Sequence, residues 1–251
     1  MTEVVRPSAA ILETLAMRSW PALDVMQLDG WLLRASNGYT KRANSINALR
    51  PPTTPLKARI EVAEKFYEDR ALPTIFRLTP LSESDLDSIL SDAGYQEAGA
   101  SVILHLPQIN SPTLSSPGTS SAVEIEPLAS DPWIDGYAAA VNLGPAHKAV
   151  LATLLSQIAP RSAFARIGDF AFGRATVEAG YVGLYSIATR PSHRNKGYGR
   201  QICDALLNWG AGRGFGRSYI SVEADNMIAR QLYESMGFQH AHDYHYRIRI
   251  I

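Results

Sequence analysis

Two rhythms of apolar and polar positions alternate along this chain. In LKARIEVAEKFYEDRA (56–71), Ile60, Ala63, Phe66 and Tyr67 fall on one face of a helix. Before it, LDGWLLRAS (28–36) predicts a strand and NGYTKRANS a polar loop. After it, PTIFRLT predicts a strand, SESDLDSILSDAGY a helix begun by Ser and closed near Gly94, and SVILHL a further strand. The second half opens with VEIEPL as a strand and helices over 132–143 and 146–159. FARIG, FAFGRATV and YVGLYSIAT then predict three strands joined by short turns, an antiparallel meander. In QICDALLNWGAGRG, Ile202, Leu206 and Trp209 make one helical face. SYISVE predicts a strand, NMIARQLYESMGF a helix capped by Gly237, and HDYHYRIRII a last strand.

Between the two series lies PQINSPTLSSPGTSSA (107–122), with three prolines, five serines and no charged residue. It has too little apolar surface to pack and predicts a linker. The expected organisation is a domain over 1–109, a linker over 110–122 and a domain over 123–251. SDAGYQ in the first half matches ESMGFQ in the second, with Gly94 and Gly237 143 residues apart. Upstream of each, strand, polar loop, helix, strand and helix follow in the same order. The expectation is an internal duplication.

Composition narrows the function classes. Among 251 residues, 24 Lys and Arg balance 24 Asp and Glu, so no net field favours nucleic acid or an acidic membrane. No apolar run reaches the length of a membrane span. The segment MTEVVRPSAAILETLAMRSW lacks the layout of a signal peptide, and a cytoplasmic protein is expected. Cys203 is the single cysteine, so no intrachain disulfide forms.

The chemistry concentrates in RNKGYG, where Arg194, Gly197 and Gly199 form an R-x-x-G-x-G pattern between a strand and an amphipathic helix. Glycines let the chain turn with its N–H groups pointing inward, and the helix start adds unpaired donors and partial positive charge. Such a pocket suits a pyrophosphate. The spacing does not match the dinucleotide fingerprint G-x-G-x-x-G, and no G-K-[ST] of a nucleotide triphosphate loop follows.

LYSIATRPSHRNKGYGRQICDALL resembles the principal motif of the GNAT acetyltransferase family, and SVEADNMIARQLYESMGF resembles its second signature. The detailed match covers roughly residues 182–251. The resemblance implies a GNAT fold of α/β (α+β) class, a mixed, mostly antiparallel sheet flanked by helices, here as a tandem of two GNAT-like halves. It implies acetyl-CoA as acyl donor, its pyrophosphate on the N–H groups of Asn195, Lys196, Gly197, Tyr198, Gly199 and Arg200, with Arg194 and Lys196 adding charge. Asn195 stands where many relatives have glycine. Ile187, Ala188 and Thr189 would pair with the pantetheine arm as an added strand, and Asn226 matches a residue that contacts CoA. Tyr233 matches the tyrosine that protonates the leaving thiolate.

For the general base, Glu223 at the end of SYISVE is the first candidate, ahead of Tyr185, His193 and Glu178. Cys203 reads as a packed helix residue with no His partner, which argues against a covalent cysteine intermediate. His240, His242 and His245 lack a completing ligand cluster, so no metal is expected. At the 143-residue offset, Gly197, Gly199 and Tyr233 correspond to Thr54, Leu56 and Leu90, so the first half is expected not to bind CoA. Trp31, Arg34, Tyr39, Lys41, Arg42 and Asn44 there shape either a substrate pocket or a solvated, cation-rich loop with a buried Trp. The expected activity is acetylation of a small-molecule amine by direct transfer. The alternatives are acetylation of a protein lysine or N-terminus, or an acyl-CoA sensor without activity.

Overall fold

Helix α2 (Leu56–Glu68) buries Arg59, Ala63, Phe66 and Tyr67, close to the face that the spacing predicts. Helix α6 (Tyr198–Ala211) turns slightly from its predicted face. It buries Ile202, Cys203, Leu206, Leu207 and Gly210 and leaves Trp209 half-buried under the Arg213 guanidinium at 4.4 Å. The computed structural model describes residues 7–109 and 123–250, and the linker read over 110–122 lies outside them.

The described chain divides into two units. The N-terminal unit comprises Pro7–Ile103, Val222–Met227 and the residues from Ala241 onward. It begins with α1 (Ala9–Ser19), whose Ile11 N–H is accepted by the Ser8 hydroxyl at 3.4 Å. Strands β1 (Asp24–Leu28) and β2 (Trp31–Ala35) pair as a hairpin. The single strand predicted over 28–36 is therefore broken by a turn, because Asp29 and Gly30 both take positive φ, 34° and 87°. Gly30 is required there, since a Cβ would stand 2.4 Å from the Arg50 carbonyl oxygen. Strand β3 (Ile46–Ala48) is antiparallel to β2 and parallel to β4 (Thr74–Leu78). Helix α3 (Leu86–Asp92) and strand β5 (Gln96–Leu106) follow.

The final strand, β11 (Gln239–Arg249), lies antiparallel to β4, with His245 opposite Leu78 and Arg249 opposite Thr74. The strand order is β1-β2-β3-β4-β11-β5, so the last strand of the chain sits inside the sheet of the N-terminal unit. Trp31, Phe76 and Tyr95 form its aromatic core, edge to face at 5.4 and 5.6 Å. Beneath the sheet, buried Glu13 of α1 pairs with Arg77 and, at 2.8 Å, with His242.

The C-terminal unit comprises Leu104–Ser221 and Ile228–His240 among the described residues. Strand β6 (Glu124–Glu126) leads into α4 (Asp131–Ala140), capped by Ser130, and α5 (Pro145–Ser156). Strands β7 (Ser162–Ile167), β8 (Ala171–Glu178) and β9 (Tyr181–Thr189) form the predicted antiparallel meander. After α6 come β10 (Arg217–Glu223), parallel to β9, and α7 (Met227–Ser235). The order is β10-β9-β8-β7-β6. Trp133 is wholly buried, stacked on Tyr137 at 5.2 Å and donating from Nε1 to the Ala165 carbonyl at 2.9 Å. Helix α6 lies close against the sheet because Gly173 and Gly210 leave room. A Cβ would meet Ile202 at 2.4 Å from the first and Val182 at 2.3 Å from the second.

The two halves of the chain repeat one series. β1, β2, β3, α2, β4, α3 and β5 match β7, β8, β9, α6, β10, α7 and β11 in kind and order, each with one parallel pair at the corresponding place. Gly94 and Gly237 also match in conformation, at φ 84° and 91° beyond corresponding helices.

Candidate active site

The loop between β9 and α6 has the conformation that its glycine pattern predicts. Gly197 caps α6 in the left-handed region at φ 79°, and a Cβ there would meet nothing within 4 Å. Glycine is needed for its dihedral, not for space. Asn195 is also left-handed, at φ 59°. Asparagine tolerates that region better than other side-chain-bearing residues, which suits it to this turn. Gln201 makes the first helical bond, its N–H to the Gly197 carbonyl at 3.1 Å. The N–H groups of Tyr198, Gly199 and Arg200 therefore open at the helix start, where no side chain caps them. Arg194 and Lys196 are exposed beside them. Phe170 and His193 stack at 4.4 Å, and Tyr198 leans on Phe170 at 4.8 Å, packing the outer wall of the loop.

Strand β9 is bulged just before this loop. Phe172 pairs with Ala188 and Arg174 with Tyr185, so Ser186 and Ile187 together oppose Gly173. Ser186 takes φ 54° to make the extra step. On its other edge, β9 pairs with β10 only from Tyr181–Arg217 to Leu184–Ile220. Ile187, Ala188 and Thr189 thus lie beyond the end of that ladder, with backbone available to an extended ligand on that side. Tyr233, on α7, is buried against Phe238 at 5.9 Å. Burial, and then the neighbouring Cys203, push the phenol above its ordinary range, so it is a donor at neutral pH.

A family model described as "Probable histone acetyltransferase Rv0428c C-terminal" matches residues 9–247. The "Uncharacterized N-acetyltransferase YobR" of Bacillus subtilis is 31% identical over 245 residues, covering 95% of this chain and 97% of that protein. The chain belongs to the GNAT N-acetyltransferase family. Solved structures agree on the fold. A GCN5-related N-acetyltransferase from Kribbella flavida superposes with TM-score 0.66 at 14% identity, covering 96% of this chain and 95% of that one. A tandem GNAT protein from the clavulanic acid biosynthesis pathway gives 0.64 at 10% identity, covering 98% and 90%. The GNAT fold and the N-acetyltransferase activity expected above are those of this chain.

Other candidate residues of this GNAT protein fall in different settings. Glu223 is exposed at the end of β10, and its carbonyl accepts the Asn226 N–H at 3.1 Å in a tight turn. Both belong to the N-terminal unit. Ala224, directly after Glu223, lines a cavity of about 540 Å³ in that unit, whose wall also carries Glu83, Asp87, Glu97 and Asp243. Asp87 is held below the usual carboxylate range, chiefly by its bond from Arg247. The other base candidates are engaged. Glu178 pairs with Arg161, Tyr185 bonds Tyr219 at 2.6 Å, and His193 stacks on Phe170 with Nδ1 3.0 Å from the Ser192 hydroxyl. Cys203 is wholly buried and its thiol is pushed up to about 12 by burial, a packed residue and not a nucleophile.

Of the group at 31–44, Trp31, Arg34, Tyr39 and Asn44 are buried, Arg42 is half-buried and Lys41 is exposed. Arg34 is buried and donates to the carbonyls of Met17, Trp20 and Arg42. Asn44 Oδ1 accepts the N–H groups of Ser36 at 2.7 Å and Gly38 at 3.1 Å. Trp31 Nε1 donates to Glu83 at 3.2 Å. Arg34 and Asn44 thus satisfy loop backbone, and Arg34 and Arg42 border a space of about 10 Å³, room for roughly one water. The histidines separate by role, His242 on Glu13 and His245 on Asp87 at 3.1 Å. Among the described residues no group of three or more His, Cys, Asp or Glu could hold a metal. No described helix is long and apolar enough to cross a membrane.

Two features escaped the sequence reading. The bulge at Ser186 has no composition signal. Asp29 accepts the Thr53 and Thr54 N–H groups at 2.8 and 2.6 Å and both hydroxyls, ahead of α2. Thr54 is the counterpart of Gly197 at the 143-residue offset, so a carboxylate of the chain itself fills the turn that corresponds to the glycine loop.

Proposed function

We propose that this GNAT enzyme transfers the acetyl group of acetyl-CoA directly to the primary amine of a small molecule in the cytoplasm. In this reading the N–H groups of Asn195–Arg200, with Arg194 and Lys196, take the pyrophosphate. The backbone of Ile187–Thr189 pairs with the pantetheine arm, and Asn226 adds a contact. The amine nitrogen attacks the thioester carbonyl, and a strand N–H bears the charge that develops on oxygen. Glu223, directly or through water, takes the proton that the amine loses. The C–S bond then breaks and the thiolate is met by the Tyr233 hydroxyl. Free thiols titrate below phenols, so full transfer from a phenol raised further by burial is uphill. Tyr233 therefore acts first as a hydrogen-bond donor to the departing sulfur.

The small-molecule reading is supported by a cavity of about 540 Å³ within the N-terminal unit. Its volume lies in the range of small-ligand sites. The family model's description names a histone acetyltransferase, which supports a protein lysine as the second reading. A panel of diamines, polyamines, amino sugars and a lysine-bearing peptide, assayed by thiol release from acetyl-CoA, separates the two. Turnover with small amines and none with the peptide is expected, and the opposite pattern sinks the small-molecule reading.

A further inference from the structure

We infer that Arg174, Tyr185 and Tyr219 form a brace that sets the position of the bulged end of β9, and so aligns the thioester carbonyl of the acyl donor. The inference rests on the proposed acetyl-CoA site and adds to it three positioning residues. All three side chains are buried, Arg174 completely. Arg174 lies opposite Tyr185 in the β8–β9 register, its guanidinium 4.3 Å over the Tyr185 ring and its Nη1 donating to Thr176 Oγ1 at 3.1 Å. The Tyr185 and Tyr219 hydroxyls are 2.6 Å apart, which links β9 to β10.

The link stands where the backbone ladder stops. Leu184–Ile220 is the last β9–β10 pair, and Ser186, the bulged residue, comes two positions later. Beyond that pair β9 keeps its backbone bonds to β8 on one edge, while at its other edge Tyr185–Tyr219 is a side-chain tie. Thr176, Gly183 and Tyr219 share one row across the three strands. Gly183 gives the tie its room, since a Cβ there would stand 2.6 Å from the Tyr219 hydroxyl and 2.8 Å from the Tyr185 ring. Burying a guanidinium and two hydroxyls costs solvation that phenylalanine and leucine would not incur. In return the polar contacts fix one geometry, where apolar packing would tolerate several. A donor N–H on the bulged segment polarises a carbonyl only if it is held within a few tenths of an ångström.

The test uses the full chain and acetyl-CoA labelled with ¹³C at the carbonyl. Calorimetry measures affinity, and infrared spectroscopy measures the shift of the labelled band on binding, which reports polarisation of the thioester. The parent is expected to bind and to shift the band to lower frequency. Tyr219→Phe is expected to keep affinity within about threefold but to lose at least half of the shift. Tyr185→Phe, a second variant should the first not fold, should behave alike. The double variant should do no worse than either, because all three remove the same bond. A full shift in a folded, binding single variant overturns the brace and leaves the donor site standing. A parent that does not bind acetyl-CoA overturns the donor site and the brace together.

Discussion

Tyr233 and Gly197 show how one residue carries different parts of the chemistry. Replacing Tyr233 with Phe keeps the ring against Phe238 and removes only the hydroxyl, so packing and donor affinity should hold. The chemical step should slow by about 10²–10³-fold, the range for losing one hydrogen-bond donor to developing charge. Single-turnover kinetics with an accepted amine checks this, because steady-state rates can report product release instead. An unchanged chemical rate would leave Tyr233 as a packing residue. Gly197→Glu forces a side-chain-bearing residue to φ 79°, at a cost of about 1–2 kcal/mol, and sets a carboxylate against the pyrophosphate. Loss of acetyl-CoA binding in calorimetry is expected, with a folded protein by circular dichroism. Undiminished affinity would remove this loop from the donor site. The sequence disclosed both residues because each sits in a short motif whose chemistry is local. Arg174 stayed hidden, since a strand arginine reads as exposed until its partners across β9 and β10 are known.

At the scale of elements, the helix starts α2 and α6 show one fold used in two ways. In α6 the first-turn N–H groups open into the loop. Ahead of α2, in the turn before its N-cap Pro55, the Asp29 carboxylate takes the N–H groups of Thr53 and Thr54. These bonds, led by the Thr54 hydroxyl, hold Asp29 well below the usual carboxylate range. In the unfolded chain the group titrates near about 3.9. Its contribution to stability is therefore complete above that pH and is lost as pH falls through the depressed native value. Asp29→Asn should lower the melting temperature at pH 7, and its difference from the parent should shrink steadily as the pH is taken below about 4. A pH-independent difference would mean that the charge contributes nothing. The same occupancy predicts one acetyl-CoA per chain, and calorimetry that resolved two equivalent sites would contradict it.

For the whole molecule, the decisive feature is that the last strand of the chain lies in the N-terminal unit, between β4 and β5. Its His242 meets the Glu13–Arg77 pair below the sheet. Truncation before Ala241 should therefore destabilise residues 7–103, leaving β4 without its partner and Glu13 without His242. Faster proteolysis within that segment is the expected readout, and an unaltered digestion pattern would refute it. Periodicity, turn residues and the R-x-x-G-x-G loop were enough to determine most of the elements, their repeated order and the left-handed glycine turn before α6. Each of these depends on residues within a few positions of one another, where dihedral preference and amphipathic spacing act directly. Which strands pair, where β9 bulges, and which carboxylate fills the turn at Thr53 were decided only in the folded chain. Those outcomes join residues tens to hundreds of positions apart, and their energies come from packing and desolvation, which exist only once the partners have met.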